Sequence, residues 1–287
     1  MPSSVATAIL LVSCPDQRGI VAALSSFITG HNGNIIALDQ YVDTVDGVFF
    51  ARMEWEVKGF TLPLDNFGAT FAAIAEPRQM EWRLHLSATR PRMAVMVSRQ
   101  GHCLYDILAR TECNEWPVDI ALVLSNHADH ASLAERHRIP FHHIPVLPSR
   151  KAEAEAQHLQ ILRSANIDFI VLARYMQILS PAFVEVFPFR ILNIHHSFLP
   201  AFAGAKPYHA AHDRGVKIIG ATAHYVTANL DEGPIIEQDV IRVSHRQGVE
   251  DLIRLGRDLE KIVLSRAIYA HLTHRILVYK NRTVVFN

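Results

Sequence analysis

Met93-Ala94-Val95-Met96-Val97 is the stretch from which the fold can be read. Five apolar residues in a row, too few for a helix and without polar alternation, predict a strand covered on both faces. Residues 120–124, 141–146, 169–172 and 191–195 are further short apolar runs, with helical segments between them. Strands alternating with helices predict an α/β fold with a doubly wound, mostly parallel sheet. Residues 218–226 and 235–243 read as two more strands. Residues 250–274 read as a long helix with Leu252, Leu255, Leu259, Val263 and Ile268 along one stripe. A terminal strand over 275–286 closes the chain.

Before this region the rhythm differs. Residues 8–13 read as a strand, and 18–31 as a helix with Ile20, Leu24, Phe27 and Ile28 at helical spacing. Residues 34–42 and 48–57 form a strand pair around a Val45-Asp46-Gly47 turn. A second helix over 64–75 carries Phe67, Phe71 and Ile74, and Trp82, Leu84 and Leu86 alternate along a last strand. The order βαββαβ is the ferredoxin-like plan. The expected organisation is a domain over 1–86, a polar linker at 87–91 ending in proline, and a second domain over 92–287.

Bulk properties narrow the function. The chain has 287 residues with 28 Lys plus Arg against 28 Asp plus Glu, so no basic excess is available for a nucleic-acid backbone. No apolar run approaches the roughly 18 residues of a membrane span. The start of the chain lacks a basic segment before its apolar stretch and reads as a strand, not a signal peptide. Cys14, Cys103 and Cys113 have no zinc-ribbon spacing, which argues against a disulfide framework and for the cytoplasm.

Seventeen histidines raise the question of metal. His127 and His130, and His209 and His212, are spaced for one helical face, and His142-His143 is a doublet. None builds a His-Glu-x-x-His or Cys/His ligand set, so no metal is expected.

The stretch richest in chemistry is Asn193-Ile194-His195-His196-Ser197-Phe198-Leu199-Pro200. On a strand Asn193 and His195 share one face, and ligands gather beyond the carboxyl ends of parallel strands. An amide and an imidazole there can hold an oxyanion. They can equally serve structure alone. Downstream, His224 precedes a turn with Asp231, Glu232, Gly233 and Pro234. A carboxyl on a partly buried loop can be raised by desolvation into a general base. The other reading of Asp231 is a turn cap.

The Asn-Ile-His-x-Ser-x-Leu-Pro run with Asp-x-Gly-Pro-Ile resembles the signature of 10-formyltetrahydrofolate-dependent formyltransferases. Ala173-Arg174-Tyr175-Met176-Gln177-Ile178-Leu179-Ser180, the segment 193–206 and the segment 231–239 more closely resemble formyltetrahydrofolate deformylases. That family also carries an N-terminal ACT domain, to which residues 6–86 are similar. The resemblance implies hydrolysis of 10-formyltetrahydrofolate to formate and tetrahydrofolate, supplying formate for purine synthesis and balancing folate pools, with no cofactor. It makes Asn193, His195 and Asp231 the catalytic trio, with His224, His196 and Ser197 behind them. Met176, Gln177, Ile178 and Leu179 align with a pterin-lining segment, and Phe141, Ile144, Val146, Glu232, Gly233 and Pro234 are expected to complete the folate pocket. Lys206 reads either as a contact for the glutamyl tail or a neighbouring subunit, or as an ordinary surface lysine.

Cys14-Pro15-Asp16-Gln17-Arg18-Gly19 and Asn32-Gly33-Asn34 resemble ACT loop motifs. Two readings stand: an amino-acid effector held by Asp16, Arg18, Gly19, Asn32, Gly33 and Asn34, or turns in a domain that mediates assembly. ACT pairing implies a homo-oligomer, for which a tetramer is one form. Related glycinamide ribonucleotide transferases hold a phosphate with a glycine-rich loop, whereas Ser98-Arg99-Gln100-Gly101-His102-Cys103 has one glycine. That departure counts against the alternative of a formyltransferase acting on an amine acceptor. A folate- or amino-acid-binding regulator without turnover is the third reading, and the intact trio counts against it.

Overall fold

The structure, a computed structural model, describes residues 6–200 and 207–287. Lys206 lies outside the described residues. The chain divides into two compact units.

The first unit spans the chain up to Arg90 together with Thr273–Tyr279 and Val284–Asn287. Its elements are β1 (Thr7–Pro15), α1 (Ile20–Gly30), β2 (Ile35–Asp43), β3 (Val48–Glu56), α2 (Phe67–Ala75) and β4 (Glu81–Leu86). They form an antiparallel sheet in the order β2-β3-β1-β4, the ferredoxin-like arrangement expected. Alternation along β1 explains its burial. Ala8, Leu10, Val12 and Cys14 join the helix-side core with Leu24, Ile28, Trp55, Phe67 and Phe71. Leu11 faces the other way, against Phe50 and Phe286. Aromatic packing fixes the helix-side core, with the Phe67 ring stacked on Trp55 at 5.8 Å and on Phe71 at 5.2 Å.

The second unit runs over Pro91–Leu272 with Lys280–Thr283. It contains β5 (Arg92–Val97), α3 (His102–Glu112), β6 (Asp119–Ser125), α4 (Ala131–Arg136), β7 (Phe141–His143), α5 (Lys151–Ser164), β8 (Phe169–Leu172), α6 (Pro181–Val184), β9 (Ile191–His195), α7 (Pro207–Arg214), β10 (Ile218–Tyr225), β11 (Ile235–Arg242) and α8 (Val249–Leu272). The seven-stranded sheet has the order β11-β10-β9-β8-β5-β6-β7. Pairs from β9 to β7 are parallel, and β10 runs antiparallel to both β9 and β11. The apolar run that suggested a doubly covered strand is fully buried: Met93, Ala94, Val95, Met96 and Val97 are all at 0% exposure.

Two expectations need correction. β7 stops at His143 instead of reaching Val146, because Pro145 has no N–H for a ladder, although the Ile144 amide still donates to Ser125 O at 2.9 Å. The expected terminal strand is a hairpin, β12 (Ile276–Tyr279) and β13 (Arg282–Val285), with Lys280 at φ +53° in its turn. Its residues Leu277, Tyr279 and Val284, with Phe286, pack on Leu11 and Phe50. Residues 273–279 and 284–287, assigned from sequence to 92–287, therefore belong to the first unit.

Phe67 is wholly buried between Trp55 and Phe71. Phe67→Ala is expected to lower the unfolding free energy by about 3–5 kcal/mol, read from the denaturant midpoint. A loss below 1 kcal/mol would mean that the aromatic cluster collapses into the vacated space.

Candidate active site

The site starts from the pairing of β9 with β10. In that antiparallel register Asn193 stands opposite His224, and His195 opposite Thr222. Directly opposed residues share a face, so Asn193, His195, Thr222 and His224 project from the same side of the sheet. Residues 226–234 then fold over that face and deliver Asp231. Gly233 makes the fold-back feasible: a Cβ there would sit 1.7 Å from the Tyr225 carbonyl oxygen. The Tyr225 amide donates to Pro234 O at 2.9 Å, which closes the turn. Asp231 itself takes φ +56°, a left-handed conformation that aspartate tolerates better than most residues.

The result is one carboxylate between two imidazoles. Asp231 Oδ2 lies 3.2 Å from His195 Nδ1, and Oδ1 lies 3.6 Å from His224 Nε2. His224 Nδ1 is 2.9 Å from the Tyr225 carbonyl, which can only accept, so Nδ1 carries a proton. The Asn193 amide nitrogen lies 3.1 Å from His224 Nε2, to which one Asn193 N–H is directed. That leaves the second N–H of Asn193 for another acceptor. His195 is buried, and its Nε2 has no hydrogen-bond partner in the protein.

The carboxyl is not raised as the sequence suggested. The His195 and His224 imidazoles hold Asp231 well below the usual carboxylate range, outweighing the partial burial that alone would raise it. His196, on the next residue, is pushed down to about 4 by burial and by the Arg174 charge. It is therefore a neutral ring, 5.2 Å from the ring of His195. The Ser197 carbonyl accepts from Thr222 Oγ1 at 2.9 Å, tying the end of β9 to β10.

The other expected site residues divide. Met176 and Ile178 are 55% and 58% exposed on the loop after β8, apolar side chains without a core to fill, and Gln177 lies between them. Leu179 is built into the core beside Phe183 and Tyr175. Gly233 and Pro234 are buried in the turn, while Glu232 is exposed and bonded to Asn229 Nδ2. Phe141 and Ile144 line a separate cavity of about 760 Å³ with Gln157, Gln160 and Ile161, to which none of the trio contributes. Val146 follows them in the chain, half-buried.

In the first unit, Asp16, Arg18 and Gly19 are exposed before α1, and Asn32, Gly33 and Asn34 follow it. An 11-residue helix separates the two groups, about 16 Å. Asn32 Nδ2 is given to Gly59 O and Asn34 Nδ2 to Glu56.

Among the described residues, His102, Cys103 and Glu260 are the one group of three whose ligand atoms lie within 4.8 Å of one another. The Arg174 guanidinium, 3.4 Å from Glu260, and burial that keeps the Cys103 thiol protonated both oppose a cation there. The histidine pairs considered from sequence gather no such group. Sequence reasoning missed Glu260, which is 1% exposed. The signal was a charged residue inside the apolar stripe of the long helix, one turn after a glycine.

Comparison with known proteins matches residues 91–268 to the formyl transferase family. Among solved structures, a formyltetrahydrofolate deformylase from Pseudomonas syringae pv. tomato is 49% identical, with TM-score 0.97 over 100% of this chain and 96% of that one. A glycinamide ribonucleotide transformylase from Symbiobacterium toebii is 32% identical, with TM-score 0.65, over 69% of this chain and 95% of its own. A formyltetrahydrofolate deformylase from Synechocystis sp. is 55% identical over 280 residues, 98% of both chains. With identity at this level running through both units, the chain belongs to the formyltetrahydrofolate deformylase family.

Proposed function

We propose that this chain is a hydrolase that converts 10-formyltetrahydrofolate and water to formate and tetrahydrofolate. The observation that carries the mechanism is the His195–Asp231 pair, with Nδ1 facing the carboxylate at 3.2 Å and Nε2 left without a partner. A carboxylate at Nδ1 stabilises the imidazolium, whose Nε2–H then meets the formyl oxygen. The free N–H of Asn193 is the second donor to that oxygen. Asp231, kept ionised, orients the attacking water and stabilises the positive charge that grows as it attacks.

The bonds balance simply. The water oxygen bonds to the formyl carbon, the carbon–nitrogen bond breaks, and a water proton passes along the His195–Asp231 pair to the departing nitrogen. Formic acid ionises to formate on release. The steps draw on side chains and water, so no cofactor enters. Exposed Met176 and Ile178 supply apolar surface for the flat pterin, and backbone groups of Asp231–Pro234 its polar edge.

The same reading assigns formate supply for purine synthesis, a cytoplasmic setting, a homo-oligomer built through the first unit, and an amino-acid effector at the turn before α1. Free Cys14, Cys103 and Cys113 support the reducing compartment. Among the described residues no helix is long and apolar enough to cross a membrane.

Enzyme and 10-formyltetrahydrofolate alone are expected to release formate promptly. Formate appearing only after an amine is added would assign the chain to transfer. His195→Ala and Asp231→Asn are expected to lose roughly a hundred- to a thousand-fold in turnover with the fold retained. Near wild-type turnover in either variant would reassign its role.

A carboxyl held below its unfolded value stabilises the fold at pH above the unfolded value, about 3.9, and stops doing so as the pH falls through the folded value. The gap in thermal midpoint between wild type and Asp231→Asn is therefore expected to be wider at about pH 5 than at about pH 3. Equal gaps would show that the carboxyl is not held low.

A further inference from the structure

Glu260 is a carboxylate on α8 with 1% exposure, and the mechanism above does not use it. A buried charge costs several kcal/mol unless neighbours compensate it. Three do. His102 Nε2 lies 2.8 Å from Oε2, the Tyr208 hydroxyl donates to Oε1 at 2.9 Å, and Arg174 Nε stands 3.4 Å from Oε2.

Each partner controls a different segment. His102 opens α3, Tyr208 sits in the first turn of α7, and Arg174 lies two residues before Met176. Arg174 adopts φ +63°, and its Nη2 donates to Gln100 at 3.2 Å, so the start of its loop is held away from relaxed backbone geometry. Packed rings lead from this cluster to the trio: Tyr208 to His196 at 6.1 Å, and His196 to His195 at 5.2 Å. The helix is hollowed to admit the tyrosine, because a Cβ at Gly256, one turn before Glu260, would meet the Tyr208 hydroxyl at 2.0 Å.

We propose that Glu260 is a positioning residue for the hydrolysis, fixing Arg174 and Tyr208 so that the Met176–Ile178 loop and α7 stand where the folate substrate needs them. The proposal rests on the folate reading of that loop. Glu260 touches no reacting atom. It acts through the guanidinium, to which it supplies a counter-charge, and through the phenol, to which it supplies an acceptor.

Steady-state formate release by the full chain tests this in three variants. Glu260→Ala is expected to raise KM for 10-formyltetrahydrofolate about ten-fold or more, with kcat changed less than three-fold. Added acetate, a carboxylate small enough for the vacated space, is expected to recover much of the lost KM. Glu260→Gln keeps an acceptor for Tyr208 but not the charge, and is expected to fall between alanine and wild type. Gly256→Ala leaves Glu260, His102 and Arg174 in place and displaces Tyr208 alone. Alanine is the better helix former, which offsets part of the cost of crowding Tyr208, and the thermal midpoint is read beside KM to confirm that the variant is folded. That variant decides the matter if Glu260→Ala does not fold.

A wild-type KM in folded Glu260→Ala overturns the proposal, as does a wild-type KM in Gly256→Ala where Glu260→Ala fails to fold. So does a loss confined to kcat. Each variant is read as a ratio to wild type, so absence of formate from the wild-type chain would count against the hydrolase reading instead.

Discussion

One carboxylate held between two imidazoles sets the geometry of this site. Asp231 faces His195 on one oxygen and His224 on the other, and neither contact survives a change in the β9–β10 register. A one-residue slip of β9 would send Asn193 and His195 to the opposite face, and one of β10 would send His224 there, because side chains alternate along a strand. The turn is equally constrained. Its backbone passes so close to the Tyr225 carbonyl that residue 233 has no room for a side chain, and Asp231 must then take a left-handed conformation. Backbone strain of this kind persists only where the surroundings over-determine it. Here the contacts with two rings and the Tyr225–Pro234 hydrogen bond supply that determination.

The antiparallel β10 is what permits the arrangement. Parallel strands need long crossovers, so residues adjacent in space on β8 and β9 are distant in sequence. Reversing direction at β10 lets a short turn bring a third functional group onto a face already carrying two. The crossover between β9 and β10 carries α7, and Tyr208 on it reaches Glu260. The face that carries Asn193 and His195 and the buried carboxylate of α8 are thus joined through one connection.

How much of this the sequence disclosed follows from which interactions are local. The apolar runs at 93–97 and 169–172 are buried on both faces, and such strands advertise themselves by composition. Asn193 and His195 share a face by alternation alone. The pairing of Asn193 with His224 depends on register between strands 31 residues apart, and no local pattern encodes it. The low carboxyl of Asp231 is illegible for the same reason: desolvation can be guessed from a loop, but two imidazoles arriving from other strands cannot. The C-terminal hairpin escaped because its apolar residues match a terminal strand as well as they match a cover for Leu11 and Phe50. Glu260 escaped because a glutamate on a long helix is ordinarily solvated, and only its place on the apolar stripe near Gly256 marked it out.

The abundance of histidine follows from the same electrostatics. Burial pushes His85, His158 and His196 down to about 4, so these rings are neutral plates that pack and carry no charge. His85 stacks on His274 at 3.7 Å, a separation open to neutral rings and costly for two cations. Imidazoles that face a buried or half-buried carboxylate are different: His195 meets Asp231, and His102 meets Glu260. His196, beside His195, is kept neutral by burial and by the Arg174 charge. Of the described imidazoles that face a carboxylate, His195 is the one whose other nitrogen is buried without a hydrogen-bond partner in the protein, and the proposed mechanism uses that nitrogen.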